Sequence, residues 1–120
     1  MRHFNTGHKD EFMCSCGCGR GIEYMDGGFL FKLDRARGIA EVPFRLTSAF
    51  RCKEHNLTVS TPTSSHPKGH AVDIECVSSY NRFKIICALV KAGITRIGVR
   101  HDFLHCDDDS DKPRELFWVY

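Results

Sequence analysis

The sequence has no apolar run long enough to cross a bilayer. Its longest is Ile85-Ile86-Cys87-Ala88-Leu89-Val90, against the roughly 20 residues that a spanning helix needs. It has no large excess of either charge. Seventeen Lys and Arg stand against fifteen Asp and Glu, a net charge of +2, which argues against a dedicated nucleic-acid binder with a strongly basic face. The first ten residues lack the apolar segment of a signal peptide. Synthesis in the cytosol, without Sec export, is therefore the expectation. Internal repeats, low-complexity stretches and a regular βαβ alternation are also missing. What remains is one domain of 120 residues, 42% hydrophobic and 27% charged, an ordinary globular composition with room for a modest core. A monomer is expected.

Cysteine is plentiful, and the seven (Cys14, Cys16, Cys18, Cys52, Cys76, Cys87 and Cys106) are odd in number, so they cannot all pair within the chain. Without an export signal the default is reduced thiols. Cys87 sits in the apolar run and reads as a small core residue. The C-x-C-x-C spacing of Cys14, Cys16 and Cys18 is not the C-x₂-C of zinc ribbons. A packed or partly oxidised cluster is expected there in preference to a second structural metal.

The pattern of elements is irregular. Asp26 is placed to cap a helix carrying Phe29, Leu33 and Ala36, ended by Gly38. Alternation over 44–50 predicts a strand. A short helical turn over 51–57 and a Ser/Thr/Pro-rich loop over 58–69 come next. The segment 70–76 reads as a strand. Ser78 or Ser79 caps a helix with Phe83, Ile86, Cys87, Leu89 and Val90 as its apolar residues, stopped by Gly93. Strands over 95–100 and 103–107 flank a turn at 101–102, and 115–120 closes the sheet. The acidic run Asp107–Asp111 reads as a solvated loop. The class is α+β, with a small, mostly antiparallel sheet flanked by helices.

Three residues of that layout have the chemistry of a catalytic metal site. His66 lies in the polar loop, Asp73 on the following strand and His105 on a late strand. Two imidazoles and a carboxylate make a common zinc set that keeps a place for water. Neighbouring strands would let Asp73 and His105 converge from one face. Gly69 permits a sharp turn between His66 and Asp73, and the small Ala71 leaves room for substrate beside Asp73. Asp102, three residues before His105, would face away on a continuous strand. In a turn it can be aimed back to act as general base and acid. Asp107 shares the strand face of His105 and could orient its imidazole. His70 has the opposite parity to Asp73.

The segment Ser64-Ser65-His66-Pro67-Lys68-Gly69-His70-Ala71-Val72-Asp73 matches the pattern S-x-H-x-x-G-x-A-x-D, and Asp102-Phe103-Leu104-His105 carries an acid three before a histidine. In both, the chain resembles the M15 zinc peptidases: peptidoglycan D-Ala-D-Ala carboxypeptidases, D-Ala-D-Ala dipeptidases and phage L-alanyl-D-glutamate endolysins. Ser48–Asn56 is similar to the family's S-x-(aromatic)-R…N segment, and Phe12–Gly19 to the Cys-rich start of its short, single-domain branch. The resemblance implies a hedgehog- or DD-peptidase-like fold and zinc on His66, Asp73 and His105. It makes Asp102 the acid–base residue and Arg51 the side chain that contacts substrate and steadies the oxyanion. Ser64 would lie near the substrate. An aspartate as base is the endolysin-like choice; the dipeptidases use glutamate. The function it implies is hydrolysis of stem or cross-link peptides of peptidoglycan by an endolysin-like endopeptidase. The alternatives are a D-Ala-D-Ala carboxypeptidase and a non-catalytic, zinc-containing wall-peptide-binding or virion module.

Overall fold

A computed structural model describes residues 11–120. The element order is α1 (Gly27–Ala40), β1 (Leu46–Ser48), α2 (Lys53–Val59), β2 (Ala71–Glu75), α3 (Ser79–Lys91), β3 (Arg96–Val99), β4 (Phe103–Asp107) and β5 (Leu116–Val119), with a 3₁₀ turn at His66–Lys68 before β2. The five strands form one sheet in the order β1-β2-β4-β3-β5. β1 with β2, β2 with β4 and β3 with β4 run antiparallel; β3 and β5 run parallel. The α+β class and the mostly antiparallel sheet are as the sequence led us to expect.

Local chemistry explains the helix starts. The Asp26 carboxylate accepts from the Phe29 amide at 2.9 Å, and the Ser78 hydroxyl from the Asn81 amide at 3.2 Å, each satisfying an amide that the first turn leaves free. α1 runs through Gly38 and stops at Glu41, which takes a left-handed conformation with φ 55°. The strand expected over 44–50 narrows to β1, because the register with β2 shifts between Leu46 and Ser48. Beyond that irregularity Ala49 and Phe50 are both buried and the alternation ends.

Strand parity divides the sheet into two faces. Val72, Ile74, Leu104, Cys106 and Ile97 point to the core, where they meet Phe29 and Leu33 of α1 and Ile85, Ala88 and Leu89 of α3. The buried stripe of α3 is therefore not the one read from the sequence. Phe83 and Val90 are exposed and Cys87 only partly covered, because α3 turns the Ile85–Ala88–Leu89 edge toward α1 and the sheet. Removing the Leu89 side chain from that core would cost about 2–5 kcal/mol. No helix among the described residues is long and apolar enough to cross a membrane. The opposite face carries Asp73, His105, Asp107 and Arg96 together with the rings of Phe103 and Trp118.

Candidate metal centre and its cleft

Asp73 and His105 are direct cross-strand partners in the β2–β4 ladder, so their side chains stand together on the face opposite the core. Oδ1 of Asp73 lies 3.0 Å from Nδ1 of His105 and 3.5 Å from Nε2 of His66. His66 arrives from the 3₁₀ turn, which Gly69 closes at φ 74°. A side chain at Gly69 would strike the Tyr24 carbonyl. One donor atom from each of His66, Asp73 and His105 lies within 4.8 Å of the others.

The far nitrogens of both rings are occupied. Nδ1 of His66 is 2.7 Å from the Ala49 carbonyl oxygen, which can only accept, so this nitrogen carries a proton and Nε2 is the atom turned toward Asp73. Nε2 of His105 is 2.8 Å from Oδ2 of Asp107, which leaves Nδ1 facing Asp73. Ligand histidines fixed from behind by a carbonyl and a carboxylate are what a zinc site needs. The donor set thus fits a divalent zinc ion: two imidazoles and one carboxylate, with outer partners in place.

The electrostatics agree. Burial opposes ionisation of Asp73, but the hydrogen bonds and charges of His105 and His66 outweigh it and hold the carboxyl well below its usual range. Burial likewise disfavours charge on His105, yet Asp107 and Asp73 raise its pKa above that of a free imidazole.

The centre lies in a cleft of about 330 Å³, walled by Arg51, Ser64, Phe103, Lys112, Trp118 and Tyr120 among others. Arg51 donates through Nη2 to the Ser64 hydroxyl at 3.2 Å, while its buried Nε has no hydrogen-bond partner. Burial pushes its pKa down and Asp73 partly restores it. It is a half-desolvated cation on the cleft wall. The indole of Trp118 lies across Gly98, where a Cβ would come within 2.4 Å of Nε1. Its ring centre is 5.6 Å from that of His105, and the Arg96 guanidinium carbon is 5.2 Å from it.

The acidic run is solvated only at its end, where Ser110 and Asp111 are exposed. Asp107 is 1% exposed and Asp109 is 3% exposed, because basic side chains meet both. Arg96 Nε donates to Asp107 at 2.7 Å. Lys68 Nζ lies 3.0 Å from Asp109, whose Oδ2 also accepts from Ser65 Oγ at 2.7 Å. Lys112 donates to the same Ser65 oxygen at 2.8 Å. The segment after β4 is thereby strapped to the His66 turn. It also covers Ala71, which is fully buried beside its cross-strand partner Asp107 and offers substrate no room.

Of the residues singled out from the sequence, the structure brings Arg51, Ser64, His66, Asp73 and His105 together around one cleft. Asp102 stands apart. It occupies the turn between β3 and β4, about half exposed, with its carboxylate 3.4 Å from Arg100 Nε, and it does not line the cleft. Asp73 and Asp107 are the carboxylates that do. His101 is 80% exposed. His70 pairs with Asp108 at 2.7 Å. Sequence reasoning missed Ser65, Arg96, Lys112, Trp118 and Tyr120. Period-2 spacing did offer a signal for Trp118 and Tyr120, which share one side of the last strand.

In comparisons with known proteins, a family model described as Peptidase M15 matches residues 7–107. A search of curated proteins found no significant match.

Proposed function

Because the chain belongs to the Peptidase M15 family, we propose that it is a zinc-dependent peptidase of bacterial cell-wall peptides, acting as an endolysin-like endopeptidase on peptidoglycan stem or cross-link peptides. The observation that carries this reading is the convergence of His66 Nε2, Asp73 Oδ1 and His105 Nδ1, each ring already fixed from behind. Those three atoms would hold the zinc. Zinc supplies a Lewis acid for the scissile carbonyl and lowers the pKa of water to about 7.

The chain's own residues do the rest. The guanidinium of Arg51, a half-buried cation on the cleft wall, suits it to bind the carbonyl oxygen of the scissile bond as negative charge builds there. Ser64 holds the guanidinium at the cleft wall. The rings of Phe103, Trp118 and Tyr120 give the substrate backbone an apolar flank and exclude water from one side. Asp102 is the acid–base residue of the proposal on its position three before His105. To act, its carboxylate must leave Arg100 and swing into the cleft with the turn at 101–102.

That outward position of Asp102 is the specific observation in favour of the second reading, a module that holds wall peptide without cutting it. One experiment separates the readings: mass spectrometry of muropeptides after incubating purified sacculi with the zinc-loaded protein. We expect new amino termini at D-Glu or at the cross-link. Release of single D-Ala identifies a carboxypeptidase instead, and bound peptide without products identifies the binding module. Full hydrolysis by His66→Ala overturns the metal centre. Full hydrolysis by Asp102→Asn removes Asp102 from the mechanism.

A further inference from the structure

The cysteines dismissed as a zinc site on their spacing come together in space. Cys14, Cys16 and Cys18 lie in the loop before α1, and Cys52 caps α2; one sulfur from each lies within 4.8 Å of the others. The spacing was misleading because the fourth sulfur comes from a different part of the chain. Cys14 and Cys16 sulfurs are 3.4 Å apart, Cys16 and Cys52 3.6 Å, and Cys14 and Cys52 3.8 Å. Four thiolates at about 2.3 Å from a central zinc have edges of about 3.8 Å. A disulfide would need one pair at about 2.05 Å, and all four thiols are free.

We propose that Cys14, Cys16, Cys18 and Cys52 hold a second, structural zinc ion as a closed tetrathiolate, pinning the 14–20 loop to the start of α2.

The surroundings are those of a built site. The loop doubles back on itself: the Cys14 amide donates to the Arg20 carbonyl at 2.9 Å, and the Gly17 amide to the Cys14 carbonyl at 3.4 Å. Gly17 and Gly19 take φ of 84° and 81°, the left-handed region that glycine enters without steric cost, which lets the loop turn tightly. Peptide donors meet the sulfurs. The Cys52 amide reaches Cys14 Sγ and the His55 amide reaches Cys52 Sγ, each at 3.4 Å. The Arg20 guanidinium lies close enough to Cys18 to favour its thiolate and offsets the charge that four thiolates leave on a divalent ion. Cys14 and Cys52 are each 3% exposed, so half of the knot is buried, and no water position is needed for a closed site. Cys52 directly follows Arg51, so the knot also fixes the backbone from which that side chain enters the cleft.

The proposal does not rest on the peptidase reading, and its test separates the two. The full chain, purified under reducing conditions, is weighed by native mass spectrometry alongside His66→Ala/His105→Ala and Cys16→Ser/Cys18→Ser. We expect two zinc ions in the wild type and one in each double variant. Cobalt(II) loaded into the histidine variant should show sulfur-to-cobalt charge-transfer bands in the near ultraviolet. This measurement does not depend on the cysteine variant folding. A single zinc in the wild type with none in the histidine variant overturns the proposal. So do cobalt spectra without charge-transfer bands, or iron in place of zinc.

Discussion

Asp107 grips His105 from behind, with its Oδ2 2.8 Å from Nε2, and its other oxygen takes Arg96 Nε at 2.7 Å. Both oxygens are committed to donors, so Asp107 serves as an anchor and not as a base. In Asp107→Asn, one amide hydrogen must face a donor, whichever way the group is turned. Zinc affinity at the His66–Asp73–His105 site should fall about 10- to 100-fold, and peptidase activity should return when zinc is added in excess. The variant also strands a buried guanidinium, at a cost on the order of 3 kcal/mol. Combining it with Arg96→Met should recover most of that stability while the zinc deficit remains. Competition titration with a chromophoric chelator reads the affinity, and urea unfolding reads the stability. Unchanged zinc affinity in both variants would mean that Asp107 does not tune the site.

Gly98 lies opposite His105 on β4 and Trp118 on β5, and the indole lies where a Cβ would go. Gly98→Ala should therefore push Trp118 off its place in the cleft while leaving the core face of β3 intact. A misplacement of about 1 Å at a reacting site can cost about 10²-fold in rate, and a loss of that order in kcat/KM is expected. The protein has one tryptophan, so its fluorescence reports the shift directly. An unchanged emission spectrum with full activity would show that the indole does not shape the cleft.

How much of this was legible depended on whether a residue's partner was close in sequence or fixed by strand parity. The caps at Asp26 and Ser78 and the limits of β4 follow from local rules. So does the link from His105 to Asp107, two residues along the same strand. Asp73 and His105, by contrast, meet only because β2 and β4 are neighbours, which the sequence left as a condition. The burial of Asp107 and Asp109 was not legible, because it depends on Arg96, Lys68 and Lys112 arriving from three other segments. A run of carboxylates reads as solvated until its cations are placed. The same limit hid Cys52 from the thiol cluster. In Asp102 a local motif and the tertiary placement disagree. Its position before His105 suits an acid–base residue, while Arg100 holds it outside the cleft.

The strap from the acidic segment to the His66 turn should be visible as acid sensitivity. Burial works against ionised Asp109, but Ser65 and Lys68 outweigh it and bring its pKa down to about 2. A carboxyl depressed in the folded state contributes stability above its unfolded value of about 3.9. That contribution is lost as pH falls from there toward about 2. Asp109→Asn should remove it at neutral pH, lowering unfolding free energy by about 1–3 kcal/mol, and should flatten the acid limb of the stability curve. Urea midpoints from pH 2 to pH 6 provide the measurement. A variant with an unaltered acid limb would show that the strap carries no stability.

On the alkaline side the decisive group is His105, and zinc should reverse the sign of the pH effect. In the metal-free protein, burial disfavours the imidazolium, but Asp107 and Asp73 raise its pKa above the free value. A raised histidine contributes stability that is complete below its unfolded pKa of about 6.5 and is lost as pH climbs through the folded pKa. Asp73, depressed in the folded state, contributes above about 3.9. The metal-free Tm should therefore be highest between about pH 4 and 6.5 and fall above it. Zinc must displace the proton from Nδ1 of His105, so its binding weakens in acid and strengthens as pH rises. The zinc-induced rise in Tm should be small at pH 5 and grow toward pH 8. Thermal unfolding across that range, with and without zinc, tests both limbs. His105→Gln should abolish the alkaline fall in the metal-free protein together with the part of the zinc stabilisation that His105 controls. A zinc effect independent of pH would mean that no proton is exchanged for the ion at His105.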